Sequence, residues 1–191
     1  PESPYVQELS FKSKLKLALK KNAHYYFFKR DASAYVVQTD DVNRRVRKAL
    51  GTDKVYTVSN TYNHHYNQPA ASGRLLPDRG QDEFRLLTLS SYYPHKNLEL
   101  IPKIAEKLEE QGITNVRFIL TLKEEDFKAQ LKPHKYIFNK GPVFPADCPA
   151  LYSECDVMFL PTLAECFSAS YPEAMKMQKP IITTDLGFAK S

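Results

Sequence analysis

Two glutamates frame the stretch of this sequence with the clearest chemical potential. Glu165 lies in the loop after a strand predicted at 156–161, and seven residues separate it from Glu173. Two carboxylates at this spacing could accept hydrogen bonds from the hydroxyls of a sugar or a ribose. The alternative is structural: Glu173 would only favour a helix dipole, and Glu165 would be solvated.

A helix predicted to begin between these two glutamates offers an anion site at its N-terminus. Ser168 or Ser170 can begin it, because Pro172 is tolerated only near a helix start. The backbone N–H groups at 167–170 would then lack intrahelical partners and point toward the strand ends. Such an arrangement binds an anion without a glycine-rich loop.

A lysine follows another predicted strand, 84–90. Lys96 stands just before a helix, after Ser90 and Ser91. Ligands of parallel sheets bind at the carboxyl ends of the strands, so Lys96 could neutralise a phosphate there. A solvated surface lysine is the alternative.

These residues need a sheet to position them, and the pattern from Phe84 onward predicts one. Apolar runs alternate with amphipathic stretches, and continuous apolar strands are typical of a sheet covered on both faces. The fold class is α/β, a Rossmann-like doubly wound parallel sheet. Strands are predicted at 84–90, 116–121, 136–143, 156–161 and 180–185, and helices at 98–108, 124–131, 147–154 and 168–178.

The first third of the chain predicts a partial α/β segment. A basic helix at 9–23 precedes strands at 34–39 and 54–59, and between the strands lies a helix capped by Asp40 and ended by Gly51. Residues 61–83 are polar and contain Pro, Gly and Asn, which favours a linker.

Composition excludes several classes of protein. The chain has 191 residues, of which 42% are hydrophobic, and no apolar run approaches the length of a membrane span. Its three cysteines lack metal spacing and are typical of a reducing compartment such as the cytoplasm. No Gly-x-Gly-x-x-Gly or P-loop motif supports a nicotinamide or ATPase function.

The net charge of +5 is concentrated in one segment. Residues 11–30 carry six lysines and one arginine without an acidic residue. Such a segment could contact anionic lipid, or it could be the surface helix of a larger domain. No nucleic-acid-binding motif accompanies it, so a nucleic acid partner is not expected.

Together, several motifs in order resemble a known family. They include LLTLSSYYPHKNLELI, GPVFPADCPALYSECDVMFLPTLAECF and SASYPEAMKMQKPIITTDLGFA, with the Pro-x-Lys of Pro94–Lys96 and the spaced pair Glu165 and Glu173. Residues 84–191 resemble the donor-binding half of glycosyltransferase family 4, which has the GT-B fold. Residues 34–62 resemble more weakly the end of the acceptor-side domain.

The resemblance implies three domain regions. Residues 1–60 would be the C-terminal remnant of the acceptor-side domain, and residues 61–83 the interdomain linker. Residues 84–191 would be the nucleotide-sugar donor-binding domain, truncated at its C-terminus. Because members of the family catalyse their reaction in a cleft between two domains, the chain by itself is expected to be inactive or poorly active.

The resemblance also implies a function: transfer of a sugar from a UDP- or GDP-sugar, with retention, to a glycan or lipid-linked acceptor in polysaccharide biosynthesis. Glu165 would bind donor-sugar hydroxyls, Glu173 the ribose and Lys96 the diphosphate. Backbone amides of Phe167, Ser168 and Ala169 would add charge stabilisation. The remaining donor-binding residues would be Ser90, Ser91, Thr121, Leu122, Pro142 and Val143.

No cofactor is expected, and no metal, since no Asp-x-Asp motif occurs. The implied location is cytoplasmic, with peripheral contact at the inner membrane face through residues 11–30.

Two departures from the family leave a second hypothesis open. Ser90 and Ser91 stand where the family has Gly-Arg, and Ser168 replaces a glycine. The alternative function is therefore a non-catalytic nucleotide-sugar-binding or membrane-docking module.

Overall fold

The computed structural model describes residues 4–68 and 73–190. The chain divides into two compact units. The small unit contains the described residues up to Asn60, together with Leu163–Ser168 and the described residues from Asp185. The large unit contains the described residues of Thr61–Thr162 and Ala169–Thr184.

Local sequence explains the α/β part of the small unit. Parallel strands β1 (Tyr35–Val37) and β2 (Val55–Thr57) flank helix α3 (Asp40–Leu50). Thr39, not Asp40, caps the helix: its Oγ1 accepts from the Val42 amide at 3.3 Å. The helix ends as predicted at Gly51, which has the left-handed φ of 66° that glycine adopts without strain.

The helical start of the small unit is longer than its sequence pattern predicts. Helix α1 (Pro4–Glu8) precedes α2 (Phe11–Asp31), which continues through the aromatic run Tyr25–Phe28. Ser10 caps α2 by accepting from the Ser13 amide. No residue of α2, all of which the structure describes, is buried.

The described residues of the large unit form a sheet of five parallel strands in the order β5-β4-β3-β6-β7. The strands are β3 (Phe84–Thr88), β4 (Val116–Leu120), β5 (Ile137–Asn139), β6 (Val157–Leu160) and β7 (Ile181–Thr183). The helices are α4 (Leu100–Glu110), α5 (Glu124–Gln130), α6 (Cys148–Ser153) and α7 (Ser170–Lys176). This order confirms the predicted doubly wound fold.

Successive strand residues divide between two cores. Leu86, Phe118 and Phe159 lie in one core with the α4 residue Ile101. Leu87, Ile119 and Met158 lie in the other with Leu151 and Ala174 of α6 and α7. Because side chains alternate along a strand, this division shows that helices cover both faces of the sheet.

Part of the predicted linker 61–83 packs into the large unit. Tyr66, in a 3-10 helix at His64–Asn67, and Leu76 are buried. The amides of Leu75 and Leu76 donate to the two oxygens of Glu154 at 2.7 and 3.0 Å. Residues 69–72 of the predicted linker lie outside the described residues, as do residues 1–3 and 191 of the predicted terminal domains.

Candidate functional site

The strand order defines a topological switch point in the large unit. β3 and β6 are hydrogen-bonded neighbours, and from them the chain winds outward in opposite directions, through β4 and β5 on one side and β7 on the other. In sheets of this type, ligands bind outside the carboxyl ends of the strands at this switch point. The loop after β3 contains three predicted site residues, Ser90, Ser91 and Lys96.

The turn that bears Lys96 is fastened to the carboxyl end of β6. It is a 3-10 helix at Pro94–Lys96, followed by Asn97 in the left-handed conformation at φ 54°. The buried Thr162 hydroxyl donates to the His95 carbonyl at 3.1 Å, and the side-chain amide of Asn97 donates to the Pro161 carbonyl at 3.3 Å. Half-buried Lys96 therefore rises from a backbone that is held on both sides.

The structure brings predicted residues Ser90 and Thr121 together. The Ser90 amide donates to Thr121 Oγ1 at 3.1 Å, and the Thr121 hydroxyl lies 3.3 Å from the Ser90 carbonyl. This pair joins the loops after β3 and β4. The hydroxyl of Ser90 donates to the Ser91 carbonyl at 2.8 Å, and Ser91 is exposed. Thr121 therefore braces the loop, since its side chain is buried and bonded to backbone.

The residues predicted to border a base differ in exposure. The side chain of Leu122 is completely buried in the core, so only its backbone could face a ligand. Asn139 holds that backbone by accepting from the Leu122 amide at 3.0 Å and donating to its carbonyl at 3.1 Å. Pro142 is exposed, and half-buried Val143 packs against the second core.

Glu173 lies in the first turn of α7. This helix begins at Ser170, so Phe167, Ser168 and Ala169 precede it, and Pro172 lies in its first turn as predicted. Ala169 is exposed, and its carbonyl accepts from the Glu173 amide at 3.0 Å. Burial raises the pKa of the Glu173 carboxyl, and the nearby Tyr66 hydroxyl partly offsets this by lowering the pKa.

Glu165, Phe167 and Ser168 belong to the small unit. Their loop is fixed there because the Thr39 hydroxyl donates to the Cys166 carbonyl at 3.2 Å. Glu165 and Phe167 are half-buried, whereas Ser168 is buried. Thr39 thus caps α3 and holds the loop of Glu165.

A cavity of about 540 Å³ in the small unit includes Glu165 in its wall. Charged and apolar side chains share the lining, among them Asp41, Arg45 and Phe188. Arg45 Nε lies 2.7 Å from Asp41 Oδ2, and a Cβ on Gly187 would come within 3.1 Å of Asp41 Oδ1. Carboxylates beside apolar walls can bind a hydroxyl-rich ligand.

The sequence alone did not single out the residues that hold these loops, namely Thr39, Asn97, Asn139 and Thr162. A signal existed, because Thr and Asn near strand ends commonly bond to neighbouring backbone. Within the described residues, no group of three or more His, Cys, Asp or Glu side chains could hold a metal ion.

Comparison with known families identifies the class of protein. Residues 83–191 match the family described as group 1 glycosyl transferases. This match covers more than half of the chain, which therefore belongs to that family. Among curated protein sequences, no relative is found.

Solved structures of glycosyltransferases with the GT-B fold share this fold. The Anabaena protein HepE, solved in complex with UDP-glucose, is 18% identical with a TM-score of 0.66; the match covers 89% of this chain and 50% of HepE. WaaG, a glycosyltransferase involved in lipopolysaccharide biosynthesis, is 17% identical with a TM-score of 0.66; the match covers 96% of this chain and 54% of WaaG. The pneumococcal O-GlcNAc transferase GtfA, solved with UDP and GlcNAc, is 20% identical with a TM-score of 0.57; the match covers 85% of this chain and 32% of GtfA. The chain thus spans about a third to a half of the structures that it matches.

Proposed function

We propose that this chain provides the nucleotide-sugar site of a retaining glycosyltransferase that uses a UDP- or GDP-sugar. The observation that carries the proposal is the Lys96 turn, hydrogen-bonded to the end of β6 at the switch point of the sheet. A fixed backbone at this switch point suits a diphosphate, which needs a cation at a defined position. Membership of the family and the UDP complexes of HepE and GtfA support the same donor class.

The proposed roles follow the charge that develops during transfer. As the glycosidic bond to the diphosphate breaks, negative charge accumulates on the departing nucleotide. Lys96 and the amides of Phe167, Ser168 and Ala169 would stabilise that charge. Glu165 would bind hydroxyls of the donor sugar, and Glu173 those of the ribose.

The other predicted donor-binding residues have smaller proposed roles. Ser90 and Ser91 would supply neutral hydrogen bonds near the diphosphate, where the family has Gly-Arg. The base would be bordered by the chain at Thr121, Leu122, Pro142 and Val143, with Leu122 contributing backbone only because its side chain is buried.

The acceptor would be a glycan or a lipid-linked molecule, and transfer would need neither a metal nor another cofactor. Polysaccharide biosynthesis in the cytoplasm is the proposed setting. We further propose that the 191-residue chain binds nucleotide but transfers sugar poorly, because it spans about half or less of the enzymes that it matches. Binding is therefore the property to test first.

Paired substitutions of the two glutamates test the roles. Glu173→Ala should weaken binding of UDP by about tenfold, roughly the effect of losing a hydrogen bond to a charged group. Glu165→Ala should leave the affinity for UDP unchanged and should weaken binding of UDP-glucose, whose sugar it would contact. Calorimetric titration of both ligands measures these effects. Equal, negligible changes in the two variants would contradict the assignment.

A second candidate function, membrane docking, is favoured by the surface of α2. Leu15, Leu19 and Phe11 are exposed on the same helix as the lysines of residues 11–30. Apolar and basic side chains together suit an anionic lipid surface. No helix among the described residues combines the length and apolar character that a membrane span requires.

Co-sedimentation with vesicles tests this second function. Binding to phosphatidylglycerol-containing vesicles should fall when Lys12, Lys14, Lys16, Lys20 and Lys21 are replaced by glutamine. Unchanged binding after these replacements would contradict it.

A further inference from the structure

An aromatic segment that contains Tyr62 and Tyr66 packs along α7, the helix that carries Glu173. The Lys176 ammonium lies 5.3 Å from the centre of the Tyr62 ring, which connects α7 to this segment. The centres of the Tyr62 and Tyr66 rings lie 6.3 Å apart, and Tyr66 and Tyr152 form a T-shaped pair with ring centres 5.9 Å apart. The Tyr152 hydroxyl in turn donates to the Ser170 carbonyl at 3.4 Å, at the start of α7. Tyr66 is thus enclosed between α6 and the helix of Glu173.

The Tyr66 hydroxyl is buried without a hydrogen bond. Tyr66 is 5% exposed, and within the described residues its hydroxyl has no hydrogen-bond partner. Leaving a buried hydroxyl unpaired destabilises the folded protein, because the hydroxyl loses its bonds to water and gains none. A phenylalanine would avoid this cost, so the hydroxyl invites a functional explanation.

The carboxylate of Glu173 faces this hydroxyl. Burial, and then the negative charge of Glu173, raise the pKa of Tyr66. Tyr152 and Cys148 of α6 also face Glu173, and burial followed by its charge raises their pKa values. These three neighbours are therefore neutral at physiological pH, and Lys176 lies three residues further along α7 against Tyr62. A neutral O–H donor can stabilise a carboxylate without competing with it for a ligand.

We propose that Tyr66 is a positioning residue for nucleotide binding, whose hydroxyl donates to one oxygen of Glu173 and orients the other toward the ribose hydroxyls. This inference rests on the proposed role of Glu173. Nucleotide binding would rotate the Glu173 side chain slightly and complete the hydrogen bond. The cost of the unpaired hydroxyl would then be recovered only in the bound state, which strengthens binding.

The test removes this hydroxyl and compares two ligands. Wild type and Tyr66→Phe are titrated with UDP and with 2′,3′-dideoxy-UDP, which lacks the hydroxyls that Glu173 would bind. Wild type should prefer UDP by about tenfold, the value of one charge-assisted hydrogen bond. Tyr66→Phe should lose most of this preference while its affinity for dideoxy-UDP stays unchanged. That unchanged affinity also shows that the variant is folded.

Tyr136→Phe is the matched control. The hydroxyl of Tyr136 is also buried and lacks a partner within the described residues, but Tyr136 lies in the other core. This variant should keep the full preference for UDP. A pH titration adds a second readout: loss of the donor should raise the pKa of Glu173, so UDP binding by Tyr66→Phe should weaken at a higher pH than in wild type.

Two results would overturn the inference separately from the proposed function. If wild type prefers UDP, Glu173→Ala abolishes that preference and Tyr66→Phe retains it, Tyr66 does not position the carboxylate. If Tyr66→Phe weakens the binding of both ligands equally, the role of the Tyr66 hydroxyl is structural. If wild type binds neither ligand, or binds both equally, the role of Glu173 fails and the inference fails with it.

Discussion

The buried hydroxyl of Thr162 donates a 3.1 Å hydrogen bond to the carbonyl of His95 and thereby joins the carboxyl end of β6 to the turn that bears Lys96. The two residues are 67 positions apart in the sequence. Their contact crosses the switch point of the sheet, where nucleotide ligands of doubly wound folds bind. Neither residue needs to touch a ligand for this bond to set the position of Lys96.

Replacing Thr162 by valine should therefore weaken nucleotide binding. Thr162→Val keeps the shape of the side chain but removes the donor to the His95 carbonyl. We expect a stability loss of about 1 kcal/mol and a several-fold rise in the Kd for UDP, measured by urea unfolding and calorimetry. Thr88→Val is the matched control, because Thr88 is equally buried and donates to the Phe159 carbonyl at 2.8 Å. A control that raises the Kd as much as Thr162→Val would show a general effect of stability.

Glu173→Gln should stabilise the protein at neutral pH. The pKa of Glu173 is raised by burial, so the folded state holds its proton to a higher pH than the unfolded state does. Stability from this group is complete below the unfolded pKa and is lost as pH rises through the folded pKa. Glutamine removes that loss, so the variant should exceed wild type at pH 7–8 and match it near pH 4.

Urea unfolding between pH 4 and pH 8 measures this difference. Glu110→Gln, which changes an exposed carboxylate on α4, should alter stability little across the range. A stability gain for Glu173→Gln that is the same at pH 4 and pH 8 would contradict the assignment to ionisation. The same variant should bind UDP more weakly, which would show that the buried charge serves binding at the expense of stability.

Glu154→Gln should destabilise the large unit. Both carboxylate oxygens accept from backbone, one from the Leu75 amide and one from the Leu76 amide. Glutamine turns one of these acceptors into a donor that faces another donor. We expect a loss of about 1–3 kcal/mol in the free energy of unfolding, well above that of Glu110→Gln. A loss no greater than that of Glu110→Gln would mean that the two bonds contribute little in solution.

The sequence predicted the sheet well because its strands are continuous apolar runs. Val116–Leu120 and Val157–Leu160 fall inside their predicted ranges, and Gly51 ends its helix as predicted at a left-handed φ value of 66°. The strand predicted at 136–143 was too long, since β5 contains Ile137–Asn139 only. β5 ends at Asn139, whose side chain bonds with the backbone of Leu122.

The interior of the candidate site was less predictable. Segment 61–83 is polar overall, so its composition predicted a solvated linker, yet Tyr66 and Leu76 are buried. Burial of these two residues depends on partners far away in sequence, such as Tyr152 and Glu154. No periodicity within a short polar segment reports such contacts. The proposed roles of Glu165, Glu173 and Lys96 stay predictions that rest on spacing and resemblance.

Titration of the 191-residue chain with UDP and GDP tests the central claim most directly, namely that the Lys96 turn binds a nucleoside diphosphate. We predict that one of the two binds, and that Lys96→Ala raises its Kd by about tenfold through loss of a charge-assisted contact. Lys123→Ala, which removes an exposed lysine from the loop after β4, should leave the Kd unchanged. If neither UDP nor GDP binds, or if the two substitutions change the Kd equally, the claim is contradicted.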